Sequence, residues 1–262
     1  MKTRSGLGQL LLTVPLLLVA GNGKAQDIIP DTTLGAESSI ATPLTPQQVQ
    51  IDGGAIRGTN LFHSFLEFNI NEGNAAYFAN PAGIANIFSR VTGPNPSHLL
   101  GTLGVSGDAN LFFLNPNGIL FGPNAQLDIA GSFVASTANR FVFADGRQFG
   151  AISPENAPLL TVTASAPVGL RFEGREGGAI VNAGDLAVPE GESLGLIGGT
   201  VVSTGTLAAP QGNVTAMAVP GSGQVQLSPA GQVTSWQSQT PTSPTRSAKE
   251  TLKSYKIFEI GR

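Results

Sequence analysis

Residues 178–191 align with residues 199–212 at a constant offset of 21, and seven of the fourteen positions are identical. The matches are Gly178 with Gly199, Val181 with Val202, Gly184 with Gly205, Leu186 with Leu207, Ala187 with Ala208, Pro189 with Pro210 and Gly191 with Gly212. A weaker third copy continues in Gly223, Val225, Leu227, Pro229 and Gly231. A unit this short cannot bury its own apolar face. It gains a core only by stacking on copies of itself, so the period reads as one coil of a solenoid. Alternate residues such as Ile180, Leu186, Val188, Leu194, Leu196 and Val201 then point inward, and Gly and Pro form the corners. Stacking puts like residues about 4.8 Å apart, where rows of like charges repel and rows of Val, Leu, Asn or Thr are tolerated. A chain with only 12% charged residues suits that arrangement.

The 34 Gly and 18 Pro residues interrupt the sequence about every fifth position, which breaks helices and leaves short strands intact. An all-β chain is expected. Strand-like runs lie at Val49 to Ile56, Asn110 to Leu114, Ile119 to Ile129, Phe141 to Phe143 and Leu159 to Phe172. The aromatic segment from Asn60 to Ile70 reads either as a long strand or as a cap over the first coil, with Asn60, Phe62, His63, Phe65 and Phe68 as cap candidates. A solenoid needs a cap because its first coil otherwise presents an open sheet edge. After about Pro220 the pattern fades, and Ser235 to Lys249, including the single tryptophan Trp236, reads as a linker or disordered tail.

At the N-terminus, Lys2 and Arg4 precede an apolar run from Leu10 to Ala20, and Gly23 and Ala25 supply small residues before a cleavage at Gln26. This is the pattern of a secretory signal peptide at 1–25. The absence of cysteine rules out disulfides, thiolate nucleophiles and cysteine-ligated metals. With only His63 and His98, a three-histidine metal site is also excluded within one chain, and no phosphate-binding loop occurs, so no cofactor or metal is expected. Between Gln26 and Gln239 six arginines face 15 acidic residues, a formal charge of −9, the wrong sign for a nucleic-acid binder. Asp108, Asp128, Asp145, Arg140 and Arg147 are the parts from which a β-helical polysaccharide-active enzyme would be built. Isolated aspartates beside glycine are first of all turn formers, and catalysis is the lesser reading.

Asn115-Pro116-Asn117-Gly118 between two strands is a strong turn signal and, from the residues alone, nothing more. The wider string resembles a known family. It runs through Asn60-Leu61-Phe62-His63-Ser64-Phe65 with Phe68-Asn69, Arg90-Val91-Thr92-Gly93 and Asn110-Leu111-Phe112 into Asn115-Pro116-Asn117-Gly118-Ile119. It continues through Phe121-Gly122-Pro123-Asn124-Ala125, Gly131-Ser132-Phe133, Ala135-Ser136-Thr137 and Phe143-Ala144-Asp145-Gly146. It is similar to the N-terminal domain of filamentous haemagglutinin-like exoproteins of two-partner secretion, most like the cyanobacterial branch. The resemblance implies a right-handed parallel β-helix with an N-terminal cap over residues 26–219, followed by a degenerate last coil and tail at 220–262. It implies export to the periplasm and then to the cell surface or medium, through a TpsB-type outer-membrane β-barrel whose POTRA domains recognise the passenger. In that reading Asn115, Pro116, Asn117 and Gly118 form the partner-recognition or structural turn. A surface adhesin with a cell-surface or glycan ligand is the alternative. Two departures stand out: the family's second motif, Asn-Pro-Asn-Leu, finds only Asn80-Pro81-Ala82-Gly83 here, and the sequence stops at Arg262, which reads as a truncated or a minimal form.

Overall fold

The computed structural model describes residues 27–152, 167–174 and 177–238. The signal peptide, residues 159–166 of the run expected from Leu159, and the tail beyond Ser238 lie outside the described residues.

Six parallel strands form the main sheet: β5 (Asn60–Phe68), β7 (Asn86–Val91), β10 (Asn110–Leu114), β13 (Phe133–Ser136), β19 (Ser193–Gly198) and β22 (Asn213–Ala218), numbered in chain order. Each is one turn of a solenoid. A second sheet stacks β8 (Ser97–Leu99), β11 (Ile119–Phe121), β17 (Ala179–Asn182) and β20 (Thr200–Ser203), again in parallel. The third face stacks β3 (Gln48–Gly53), β6 (Ala75–Ala79), β9 (Thr102–Ser106) and β12 (Gln126–Asp128). Beside β12 it continues as the pair β18 (Leu186–Ala187) and β21 (Leu207–Ala208). The repeat seen in the sequence is the stacking register itself, since Ile180 lies against Val201 and Leu186 against Leu207. Its conserved glycines sit where corners nearly touch: a Cβ on Gly205 would collide with the carbonyl oxygen of Gly184.

The first turn is sealed by strands that run the other way. β1 (Ile28–Pro30) and β4 (Ala55–Arg57) pair antiparallel with the free edge of β5, and β2 (Ser39–Thr45) pairs antiparallel with β3. Pro30 and Pro43 lie in these edge strands, where they lack an amide donor, and this ends the hydrogen-bonding template. The aromatic segment is a strand, and Asn60, Phe62, His63, Phe65 and Phe68 all lie on it, beneath the reversed strands.

The main sheet is buried on both faces. Leu61, Ile87, Leu111, Phe133 and Leu194 point into the solenoid, while Phe62, Phe88, Phe112, Val134 and Ile197 point outward into a second core. That core is covered by an antiparallel outer sheet of β15 (Gln148–Gly150), β14 (Arg140–Phe143), β16 (Pro167–Phe172), β23 (Gly223–Leu227) and β24 (Val233–Ser238), in this spatial order. Phe62, Phe88 and Phe112 stack face on face at 5.2 and 4.9 Å, and Phe141, Phe143 and Phe149 meet this stack edge-on. The outer layer is an excursion from the coil path. Phe133 pairs with Leu194 across 61 residues of sequence, whereas the neighbouring pair Leu111 and Phe133 is separated by 22.

Two expectations are corrected here. The segment read as a third copy, Gly223 to Gly231, does not stack as a coil; β23 pairs antiparallel with β16 and with β24. Alternation of Val225 and Leu227 fits either partner, and the tight turn from Ser228 to Gln232 makes it a hairpin. Ser235 and Trp236 belong to β24, and the indole packs over Gly223 at the edge of the second core, so this part of the expected tail is structured.

Phe88 stands at the centre of the stack, and truncating it opens a cavity that neighbouring rigid strands do not fill. Phe88→Ala is expected to cost about 3–5 kcal/mol in urea denaturation, against less than about 0.5 kcal/mol for Leu66→Ala on the exposed side of β5.

Candidate functional site

Between Leu114 at the end of β10 and Ile119 at the start of β11, four residues carry the chain around the corner from the main sheet to the second. Asn115 is fully buried there. Its Oδ1 accepts from the Asn117 amide at 3.0 Å, and Gly118 N donates to Asn115 O at 3.2 Å, which closes the turn. Its Nδ2 donates to Asn95 O (3.1 Å) and Ser97 Oγ (2.9 Å) on the preceding coil, and its backbone N donates to Ser136 O on the following one. Asn117 Nδ2 donates to Gly93 O at 2.8 Å, and Pro116 O accepts from Gly178 N at 3.1 Å. The turn is therefore a rivet through three coils. A side chain is excluded at Gly178, where a Cβ would lie 2.5 Å from Pro116 O, and Gly118 holds φ of +128°, a conformation that favours glycine. Only part of the turn faces solvent: Asn115 and Gly118 are buried, Pro116 is half-buried and Asn117 is exposed. Pro116 and Asn117 also border a shallow depression of about 270 Å³ lined by Val91, Thr92, Pro94 and Ile152.

Arg90 is not among the candidate site residues of the sequence, yet it organises the neighbouring coils. Its guanidinium is almost completely buried, donates to Ser64 Oγ (2.8 Å), Thr33 Oγ1 (2.8 Å) and Gly150 O (2.6 Å), and lies 4.1 Å above the Phe149 ring. Asp31 accepts from Thr33 N and Oγ1, Ser64 Oγ and Thr92 Oγ1. Burial alone raises the Asp31 carboxyl, but these donors outweigh it and hold it below the ordinary range. Burial lowers Arg90 to about 10, opposed by the charge of Asp31. Together they join the sealing strands, the first two rungs and the outer sheet. The signal was in the sequence: an arginine inside the otherwise uncharged strand Asn86–Val91 needs buried partners.

His63 is buried against Phe65 and Phe78 and hydrogen-bonded through Nδ1 to Ser39 Oγ at 3.0 Å, while its Nε2 has no partner among the described residues. Burial depresses its pKa to about 3. His98 lies on β8 with an exposed side chain. The residues considered for catalysis are each engaged locally. Asp128 accepts from Tyr77 Oη across the third face, Asp145 pairs with Arg147 in the β14–β15 hairpin, and Arg140 pairs with Glu173. Asp108 lies in the turn before β10. Among the described residues no three His, Cys, Asp or Glu side chains cluster as metal ligands.

The described residues thus form a three-sided β-solenoid of about six turns, with a sealed first turn and a coil corner tied by buried asparagine. Residues 26–259 match the TPS secretion domain, and the chain belongs to that family, the secretion domains of two-partner exoproteins. The fold is similar to the secretion domain of HMW1 from Haemophilus influenzae, with 23% identity, a TM-score of 0.55, and coverage of 80% of this chain and 48% of that one. This chain thus spans about half the length of that relative. The filamentous hemagglutinin secretion domain aligns at 19% identity and a TM-score of 0.46, over 80% of this chain and 68% of that one. No curated protein matches the chain. Domains of this family are secretion signals, and membership implies an exported protein.

Two outcomes test the site. Asn115→Ala leaves Ser97, Asn95 and the Asn117 amide without a partner and is expected to cost about 2–3 kcal/mol, against about 1 kcal/mol for the exposed Asn117→Ala, both read by chemical denaturation. The histidine makes stability depend on pH. Folded His63 stays neutral down to about 3 while the unfolded chain takes its proton near 6.5, so its contribution is complete above 6.5 and lost as the pH falls toward 3. The wild type should lose stability through this window more steeply than His63→Gln, by up to about 1.4 kcal/mol per pH unit, and the difference between the two curves isolates the residue.

Proposed function

We propose that this chain directs export by being recognised in the periplasm by the POTRA domains of a cognate TpsB-type outer-membrane barrel, which then passes it to the cell surface. The observation that carries this reading is the match of residues 26–259 to the TPS secretion domain. Physical features support it. Parallel partners on successive coils lie 20 to 61 residues apart in sequence, as for Leu194 with Val214 and Phe133 with Leu194. Such non-local pairing forms slowly and leaves β-prone segments extended, able to add to a sheet edge of the partner. Absence of cysteine leaves nothing to lock the chain before it threads the pore. Coil stacking outside the cell then draws the chain outward, because it lowers the free energy on one side only.

Within this reading, Pro116 and Asn117 are the accessible part of the turn and act in recognition, while Asn115 and Gly118 act in folding. An adhesive role would call for an aromatic outer face, but the single tryptophan packs inward over Gly223.

The test is co-expression of the full chain with its transporter, with release into the medium as the readout. Release is expected only when the transporter is present, and Asn117→Ala is expected to lower it several-fold while the melting temperature falls by only about 2–4 °C. Leu120→Cys with Val181→Cys, which face each other across β11 and β17, should block release under oxidising conditions and restore it on reduction. Equal release without the transporter, or of the oxidised form, would overturn the proposal.

A further inference from the structure

The two ends of the solenoid are finished differently. At the N-terminal end, antiparallel strands bearing Pro30 and Pro43 close the edges. At the other end, β20, β21 and β22 each pair on one side only, with β17, β18 and β19. Val201, Leu207 and Val214 stay only partly buried there, whereas their register partners Ile180, Leu186 and Leu194 are at most 1% exposed. The strands that follow, β23 and β24, turn away into the outer sheet and leave this edge unpaired among the described residues.

Edge strands are normally guarded by charges, by proline or by a covering element. The last coil, Gly199 to Val219, contains no charged residue, and its one proline, Pro210, lies outside its three strands. The polar ladder of the corner also ends there: Asn86 donates to Asn60 and Asn110 to Asn86, and Asn213 at the far end of the same row is exposed.

We propose that this coil end is a self-association surface on which a second copy of the chain docks tail to tail about a two-fold axis, β22 pairing antiparallel with its symmetry mate. The occupant follows from the ends themselves. Head-to-tail stacking is closed by the sealed first turn, whereas a second open end presents the same uncharged, singly paired strands and is complementary to the first. An uncharged edge can meet its own copy without the like-charge repulsion that guards ordinary edges. The two-fold maps the six-residue β22 onto itself in the antiparallel sense and sets β20 of one copy against β21 of the other. Val214 and Ala216 then extend the solenoid core across the junction. This inference is independent of the export reading.

Sedimentation velocity of the mature full chain over a concentration series tests it. A reversible dimer is expected, and Thr200→Lys with Asn213→Lys, both exposed on the last coil, should raise its dissociation constant at least about tenfold with circular dichroism and melting temperature unchanged. Thr42→Lys on β2, at the sealed end, should leave the dimer intact. Three results overturn the proposal: a monomer at every concentration, a dimer indifferent to the two lysines, or a dimer that forms only when residues beyond 238 are removed, which would assign the edge to the chain's own C-terminal segment.

Discussion

A coil of about twenty residues has no backbone partner within itself, so every amide and carbonyl along its strands must be satisfied by the coil above or below. This requirement governs the rest of the molecule. It makes glycine necessary where corners approach too closely for a Cβ, as at Gly205 over Gly184 and Gly178 over Pro116. It favours asparagine at corners, because a carboxamide can donate to one coil and accept from its own, as Asn115 does. It also demands a terminator for the first coil, which the reversed strands β1, β2 and β4 supply.

How much of this can be read from the residues depends on which face they line. Strands with one wet face alternate, as in β6 and β17, and for β17 the 21-residue repeat gives the stacking register on β20 directly. The main-sheet strands read instead as unbroken apolar runs such as Asn110–Leu114 and Ser193–Gly198, because both faces are covered. That second cover is the part the repeat conceals. The excursion between β13 and β17 falls inside one coil, so the offset to the preceding coil jumps from 22 residues at Leu111 and Phe133 to 61 at Ile119 and Ile180, and no constant offset links the two coils. Antiparallel pairing of β23 with β16 is equally invisible, since Val225 and Leu227 carry the same alternation as a stacked coil.

The site shows the same division. The tetrapeptide from Asn115 to Gly118 announces a turn through Pro116 and Gly118, both local effects. Its attachment to Gly93, Asn95 and Ser97 on one side and Ser136 and Gly178 on the other depends on three-dimensional register, which no local signal encodes. Arg90 is the converse case. Its charge is conspicuous within an apolar strand, but Asp31, Thr33 and Ser64 come together around it only after the sealing strands have folded back onto the first rung.

The outer sheet alters how such a molecule comes apart. A plain solenoid behaves as a row of nearest neighbours and can fray from its ends one coil at a time. Here the Phe62, Phe88 and Phe112 stack spans three successive coils, and the sheet laid across it includes β23 and β24, which come after the last coil in sequence. That layer acts as a splint along the axis. Loss of the final strands uncovers Phe112 and Val134 on the middle coils, against which the turn at Gly231 packs, so the last strands are tied to coils laid down much earlier in sequence instead of melting by themselves.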